Sequence, residues 1–441
     1  MVSVKEKMAY GLGDTASNLI FQTVMLFLAF YYTDIVGLSP TAVGIMFLAV
    51  RAIDAITDPL MGAFADKTKT KWGAYRPYLL WLALPFAVSS ILAFTVPDFG
   101  DTGKLVYATA TYILLMLMYT AINIPYSALG GVITEDVSER VSVQSYRFVF
   151  AMIGGLIVSG LTLPMVEFFG QGDQAKGYQY AMITMSLFGM LLFILCFLGT
   201  KERARPATNE NRGFQKTMKA VWANDQASIL CVAAVILLTG LVLRGGMTIY
   251  YVREFLGMPD KVTLVITLGT LGGLIGAALA FPLSKKVCKV KAYVSIQIVG
   301  FVLCIVNYFV PAEAFIMAIV LHVAWSLVLQ MASPILWAMI ADTIDYGEWR
   351  SGERMTGVTY STVIFFIKVG VAIGGFLTGT LLGYYGYVAN EVTPEAQSGI
   401  AFIFTIVPGI CFLLVAVVMM KYTLTASKLK QVNDELQATV K

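Results

Sequence analysis

Charge is what this sequence has least of. Of its 441 residues only 13% are Asp, Glu, Lys or Arg, while 58% are apolar; a soluble domain carries about twice that share of charge. Histidine is almost missing, His322 being the single one. The five cysteines, Cys196, Cys231, Cys288, Cys304 and Cys411, are scattered, mostly inside apolar runs, with no paired spacing. These scarcities exclude an ordinary soluble enzyme, a disordered scaffold, a disulfide framework and a zinc site. Lys and Arg number 31 against 27 Asp and Glu, and a net charge of +4 calls for no nucleic-acid partner. A phosphate-binding loop is lacking too: Gly103-Lys104 has neither the spacing nor the Ser/Thr, which argues against a nucleotide-driven pump.

What is abundant is long apolar sequence, with a mean hydropathy of +0.76. A helix crossing a bilayer needs roughly 20 such residues. Twelve runs of that length occur, near 10–33, 40–65, 77–97, 105–133, 146–168, 178–200, 227–251, 262–283, 292–311, 314–340, 356–384 and 398–420. Transmembrane strands would be about ten residues long and would alternate apolar with polar. These runs are continuous, so the expected fold is an all-α membrane protein of twelve transmembrane helices. The first run holds Asp14 and Asn18 and lacks a small-x-small cleavage site, unlike a signal peptide.

With the N-terminus placed in the cytoplasm, 24 Lys and Arg fall in inner segments and four (Lys104, Lys176, Arg253, Lys261) in outer loops. Such asymmetry predicts cytoplasmic termini and an even helix number. The longest polar stretch, 201–225, divides the chain. The expected organisation is a six-helix bundle over 1–200, a cytoplasmic linker over 201–225, a second bundle over 226–422 and a cytoplasmic tail over 423–441. The halves resemble each other weakly, with basic loops after helices two and eight and charged loops after helices four and ten. Two such repeats around a midplane cavity is the plan of a major-facilitator transporter. Gly272–Gly276 and Gly370–Gly374 have the spacing for close helix approach, as sliding surfaces or as static packing. In the tail, Leu429, Val432, Leu436 and Val440 recur at helical spacing.

Ionisable groups at bilayer depth are costly and must face a cavity or a partner. Run two holds the densest set: Arg51, Asp54, Thr57, Asp58. Offsets of three and four put Arg51, Asp54 and Asp58 on one helical face. Two carboxylates one turn apart can coordinate a cation, with Thr57 adding a hydroxyl, or share a proton. The alternative is a salt bridge in which Arg51 neutralises one acid while the other points at a loop. Run four carries Tyr119, Thr120, Asn123, Pro125 and Ser127, and run one carries Asp14, Ser17 and Asn18. Amides, hydroxyls and aromatic faces without metal-ligand spacing suit a neutral polyhydroxylated ligand, or else serve helix–helix contacts.

Lys368 lies mid-run beside Phe365 and Phe366, and a cavity role is expected for it. Arg244 is a similar case. Trp337 has the form of a stacking platform for a sugar ring or of a core residue, and the lone His322 reads as packed. Asp342, Asp345 and Glu348, with Arg350 and Arg354, lie at the cytoplasmic mouth. Opposite charges at Asp66, Arg76 and Arg140 make an ionic latch between the halves the expectation, against a solvated loop.

The ordered set YGLGD at Tyr10–Asp14, FYYTDIVGLS at Phe30–Ser39, RAIDAITDP at Arg51–Pro59, KWGAYRPY at Lys71–Tyr78, YTAINIPY at Tyr119–Tyr126, SYRF at Ser145–Phe148, ADTIDYGE at Ala341–Glu348 and Lys368 resembles the glycoside–pentoside–hexuronide:cation symporters, the melibiose permease family. The resemblance spans essentially the whole chain. It implies a cation site at Asp54, Asp58 and Thr120, and sugar contacts from Asn18, Tyr119, Asn123, Arg147 and Lys368. Two melibiose-permease aspartates are asparagines here, Asn18 and Asn123, which points away from an α-galactoside. Thr57 and Ser127 replace an asparagine and a tryptophan of that permease and favour a proton over sodium as coupling ion. RGGMTIYYV at Arg244–Val252, NIPYSALGGVIT at Asn123–Thr134 and LQMASPILW are most similar to the xyloside branch.

The expected function is therefore import of a glycoside, with a xyloside or other pentose-containing oligosaccharide favoured, by symport with H+ or Na+. The expected setting is the inner membrane, without a cofactor, without nucleic acid, and as a monomer. Two rival readings stand beside it. A lysolipid or drug transporter of the same fold predicts a more apolar cavity than Asn18, Tyr119, Asn123 and Arg147 would line. A membrane-embedded Mg-dependent prenyltransferase would use DxxxD for a pyrophosphate but needs neither twelve helices nor a repeat.

Overall fold

The computed structural model describes residues 2–95, 97, 99–134, 137–203, 224–351, 356–389 and 391–439. Within them the chain is helical, with no strand beyond one isolated bridge between Thr70 and Gly73. Each of the twelve apolar runs falls on helix. They are α1 (Val4–Thr23), α2 (Pro40–Lys67), α3 and α4 (Arg76–Trp81, Ala83–Ala93), α5 (Asp101–Val132), α6 (Val137–Gly170), α7 (Gln174–Gly199), α8 (Asp225–Tyr250), α9 (Val262–Lys286), α10 (Lys289–Tyr308), α11 and α12 (Phe315–Gln330, Ala332–Ser351), α13 (Thr356–Tyr384) and α14 (Pro394–Met419). Helix α15 (Ala426–Thr439) follows in the tail. Nine helical stretches among the described residues are long and apolar enough to cross a membrane.

The two broken runs share one cause. Proline lacks the N–H that would serve the carbonyl four residues back. Pro85 leaves Trp81 unserved, and Trp81 ends α3; Pro334 leaves Gln330 unserved, and Gln330 ends α11. Helix starts are marked by side-chain caps: Ser3 accepts from Glu6 N, Asp173 from Lys176 N, Asn224 from Ala227 N and Thr393 from Ala396 N.

The chain forms two compact units, Met1–Asn209 with Leu382–Val392, and Glu210–Leu381 with Thr393–Lys441. In the first, α1 packs against α6 and α7, and α2 against α5. Tyr10 and Tyr126 stack at 4.8 Å in its interior. In the second, α14 packs against α8 and α10, and α9 against α11. Its core gathers Leu230, Ile296, Leu329, Leu336 and Phe412, and the tail helix adds Leu429.

One local motif occurs in both units. After α1, Tyr31–Ile35 widens into a π-turn, Val36 N bonds Tyr31 O, Leu38 N bonds Tyr32 O, and Gly37 has φ +82°. After α8, Tyr251–Phe255 does the same: Leu256 N bonds Tyr251 O, Met258 N bonds Val252 O, and Gly257 has φ +65°. The same turn after the first described helix of each unit is a repeat that composition alone does not reveal.

Candidate functional site

Helix α2 treats Asp54 and Asp58 differently. Arg51 Nη1 donates to Asp54 Oδ2 at 3.0 Å, with the two side chains 7% and 2% exposed. That pair is neutral as a whole and sealed from water, the condition under which ions survive at bilayer depth. Asp58, half-buried one turn further on, is held from another helix: Thr120 Oγ1 on α5 donates to its Oδ1 at 2.9 Å. Thr57 turns its hydroxyl back to the Asp54 carbonyl at 3.4 Å. Arg51 thus engages one acid, as in the salt-bridge alternative, but the other meets a hydroxyl inside the bundle and not a loop.

Next to Thr120 in sequence, Tyr119 stacks on Phe21 of α1 with ring centres 5.3 Å apart. One turn along α5, Asn123 Oδ1 accepts from Ser17 Oγ at 3.5 Å. Asn18 Nδ2 donates to the Asp14 carbonyl at 3.0 Å, and its Oδ1 accepts from Gln22. Arg147 of α6 donates through Nε to Asp14 Oδ2 at 3.0 Å and through Nη2 to Ser127 Oγ at 3.4 Å. Asn18 thus lies on α1, and Tyr119, Asn123 and Arg147 each touch that helix from α5 and α6 of the same unit. Asp14, which the sequence marks only as one polar residue of its run beside Ser17 and Asn18, contacts both Asn18 and Arg147. Its signal was visible, an acid inside an apolar run, but its partner lies 133 residues away.

In the second unit Lys368 is half-buried on α13, where Phe365 and Phe366 pack edge to face. Arg244 is placed otherwise than a cavity-lining residue. It is 1% exposed, with its guanidinium 4.2 Å from the Trp325 ring and 4.1 Å from the Phe404 ring, and it donates to the Phe404 carbonyl. A sugar cannot reach a cation closed in between two aromatic faces. Trp337 is 38% exposed on α12. His322 is buried and stacks on Trp325 and Phe404, as a packed histidine would.

Of the expected cytoplasmic latch, Asp342 is bound by Lys289 of its own unit. Asp345 and Glu348 lie on α12, and Arg350 pairs with Asp225. Arg76 donates through Nη2 to the Phe197 carbonyl at 2.7 Å. The side chains of Asp66 and Arg140, and all of Arg354, lie outside the described residues. Sequence reasoning missed Glu202, whose carboxylate accepts from the N–H groups of Ala74, Tyr75 and Arg76, each at 2.8 Å. An anion at a helix start satisfies donors that the helix itself cannot.

A family model described as MFS/sugar transport protein matches residues 9–426. The chain belongs to that family. This MFS sugar-transport-family member is 42% identical over 441 residues to the inner membrane symporter YicJ of Escherichia coli (strain K12), covering 99% of this chain and 95% of that protein. It is 32% identical over 444 residues to the isoprimeverose transporter of Lactiplantibacillus pentosus, covering 98% and 91% respectively. The nucleoside transporter NupG shares its fold, with a TM-score of 0.68 at 12% identity over 96% of this chain and 100% of that one. The all-α major-facilitator architecture expected from the apolar runs is thus the architecture found. The protein is a multi-pass membrane transporter and not an enzyme, which removes the prenyltransferase alternative.

Proposed function

We propose that this transporter imports a glycoside across the inner membrane by symport with a cation, its termini in the cytoplasm, working as a monomer. The observation that carries the reading is the Thr120–Asp58 hydrogen bond, because it sets a titratable acid of α2 against the residue next to Tyr119. Successive residues of a helix point about 100° apart. Thr120 therefore faces the acid while Tyr119 offers its ring to cargo, and Asn123, one turn on, shares the side of Tyr119. Neutralising Asp58 loosens one face of this turn and sugar tightens the other. Coupling of that kind is reciprocal: bound sugar raises cation affinity by the factor by which cation raises sugar affinity.

Asn18, Tyr119, Asn123 and Arg147 form the sugar site in this reading, and Asp58 with Thr120 the cation site, the charge of Asp54 being offset by Arg51. A proton fits better than sodium. Sodium needs several oxygens around it, yet Arg51 occupies Asp54 and Thr57 points to backbone. Similarity to an isoprimeverose transporter supports a xylose-containing disaccharide as cargo. The deciding experiment is uptake of labelled isoprimeverose and 4-nitrophenyl xyloside, galactoside and glucoside into proteoliposomes under an imposed proton or sodium gradient. Accumulation driven by the proton gradient is expected, and uptake that no cation gradient accelerates overturns symport.

A further inference from the structure

The geometry points to Asp14 as the positioning residue of the sugar site, fixing Arg147 so that one edge of its guanidinium is left to meet cargo. The inference rests on the glycoside reading above and adds a residue to it.

Arg147 is restrained on three sides. Asp14 Oδ2 takes the Nε edge at 3.0 Å, Ser127 Oγ takes Nη2 at 3.4 Å, and the Tyr126 ring lies 5.2 Å beneath the guanidinium carbon. Tyr126 is itself fixed, its hydroxyl donating to the Tyr10 carbonyl at 2.8 Å. Exposure is uneven: 10% for the Asp14 side chain and 23% for Arg147. The acid is the inner member of the pair and the guanidinium the outer one. The same residue also sets Asn18, whose amide nitrogen donates to the Asp14 carbonyl. One position on α1 thus orients two side chains of the site, one through its carboxylate and one through its backbone.

A free arginine has several rotatable bonds, and ordering it on binding costs affinity; an arginine already held loses less. Its charge matters equally. Asp14 offsets the cation locally, so Arg147 offers N–H donors to sugar hydroxyls without leaving an unpaired ion at membrane depth. Asp14 itself touches no cargo.

The test is a double-mutant cycle on the full-length protein in detergent, read by calorimetric affinity for the tightest-binding glycoside of the xyloside, glucoside and galactoside panel. Asp14→Asn is expected to weaken binding about ten- to a hundredfold, the worth of a charged hydrogen bond. Asp14→Glu should restore part of it. In the Arg147→Gln background, Asp14→Asn should cost little further, since the group it positions is gone. A merely structural aspartate would produce the same loss with or without Arg147, and that additive result overturns the proposal. Should Asp14→Asn not fold, Ser127→Ala decides: it removes the other restraint on Arg147 and should weaken binding severalfold, and unchanged affinity counts against positioning. A wild type that binds none of the panel overturns the glycoside reading itself, a different outcome from an additive cycle.

Discussion

Thr120 of α5 donates its hydroxyl proton to Asp58 of α2 at 2.9 Å, while Asp54, one turn before it, is already neutralised by Arg51. Two acids that look equivalent along the helix are therefore inequivalent in chemistry. Asp58→Asn should reduce gradient-driven accumulation by at least about tenfold while sugar binding persists. Asp54→Asn should instead unfold the protein more easily, by about 3–5 kcal/mol, because it strands a buried guanidinium. Thr120→Ala should weaken cation dependence by roughly fivefold or more, the worth of one hydrogen bond to a charged group. Uptake assays paired with thermal melts in detergent check all three, and an Asp58→Asn protein that accumulates sugar normally would refute the assignment.

Glu202 is as consequential for folding as the acids are for transport. Glu202→Ala should cost about 2 kcal/mol, since three N–H groups at the start of α3 lose their acceptor. Gly73 is bound to the same contact, with φ +114° and a position where a Cβ would lie 2.3 Å from the Glu202 carboxyl carbon. Gly73→Ala should therefore lower the melting temperature. Gly62→Ala, whose Cβ would meet only Ile124 at 3.9 Å, should leave it unchanged or raise it. Equal melting of the two alanine variants would contradict this account.

Arg244 gives a prediction that runs against conservative substitution. A lysine keeps the charge but cannot lie flat between Trp325 and Phe404, whereas methionine fills the space without a charge to desolvate. Arg244→Lys should melt lower than Arg244→Met, and the reverse order would show that the charge, not the stacking, matters there.

Glu139 supplies a pH dependence outside the membrane. The Lys7 ammonium, 2.9 Å away, and the Val2 N–H hold its carboxyl below the usual glutamate range. A carboxyl depressed in the folded state contributes above its unfolded pKa, and that contribution is lost as pH falls through the folded value. Hydrogen-exchange protection of residues 2–9 should persist at about pH 5 and fall well below about pH 4, the ordinary range being near 4.3. In Glu139→Gln it should be weak at every pH.

Much of the fold was legible because bilayer depth and proline act locally. Apolar runs of the right length became helix, and Pro85 and Pro334 mark where two of them break. The site was legible in part. Asp54, Asp58, Asn18 and Asn123 stand out as polar residues where polarity is costly. Asp14 and Glu202 did not declare their roles, for their partners lie more than a hundred residues away. Arg244 was misread, because an isolated cation in an apolar run looks the same whether it faces a cavity or two aromatic rings.

By itself the sequence determined that the chain spans a membrane as helices and that one turn of α2 concentrates charge. Those are consequences of composition and period, which each segment carries alone. Which acid Arg51 takes, which hydroxyl reaches Asp58 and which carboxylate restrains Arg147 were decided by the tertiary structure. Such pairings depend on how far each helix is rotated and shifted against its neighbours, and packing sets that rotation, not any residue's local preference.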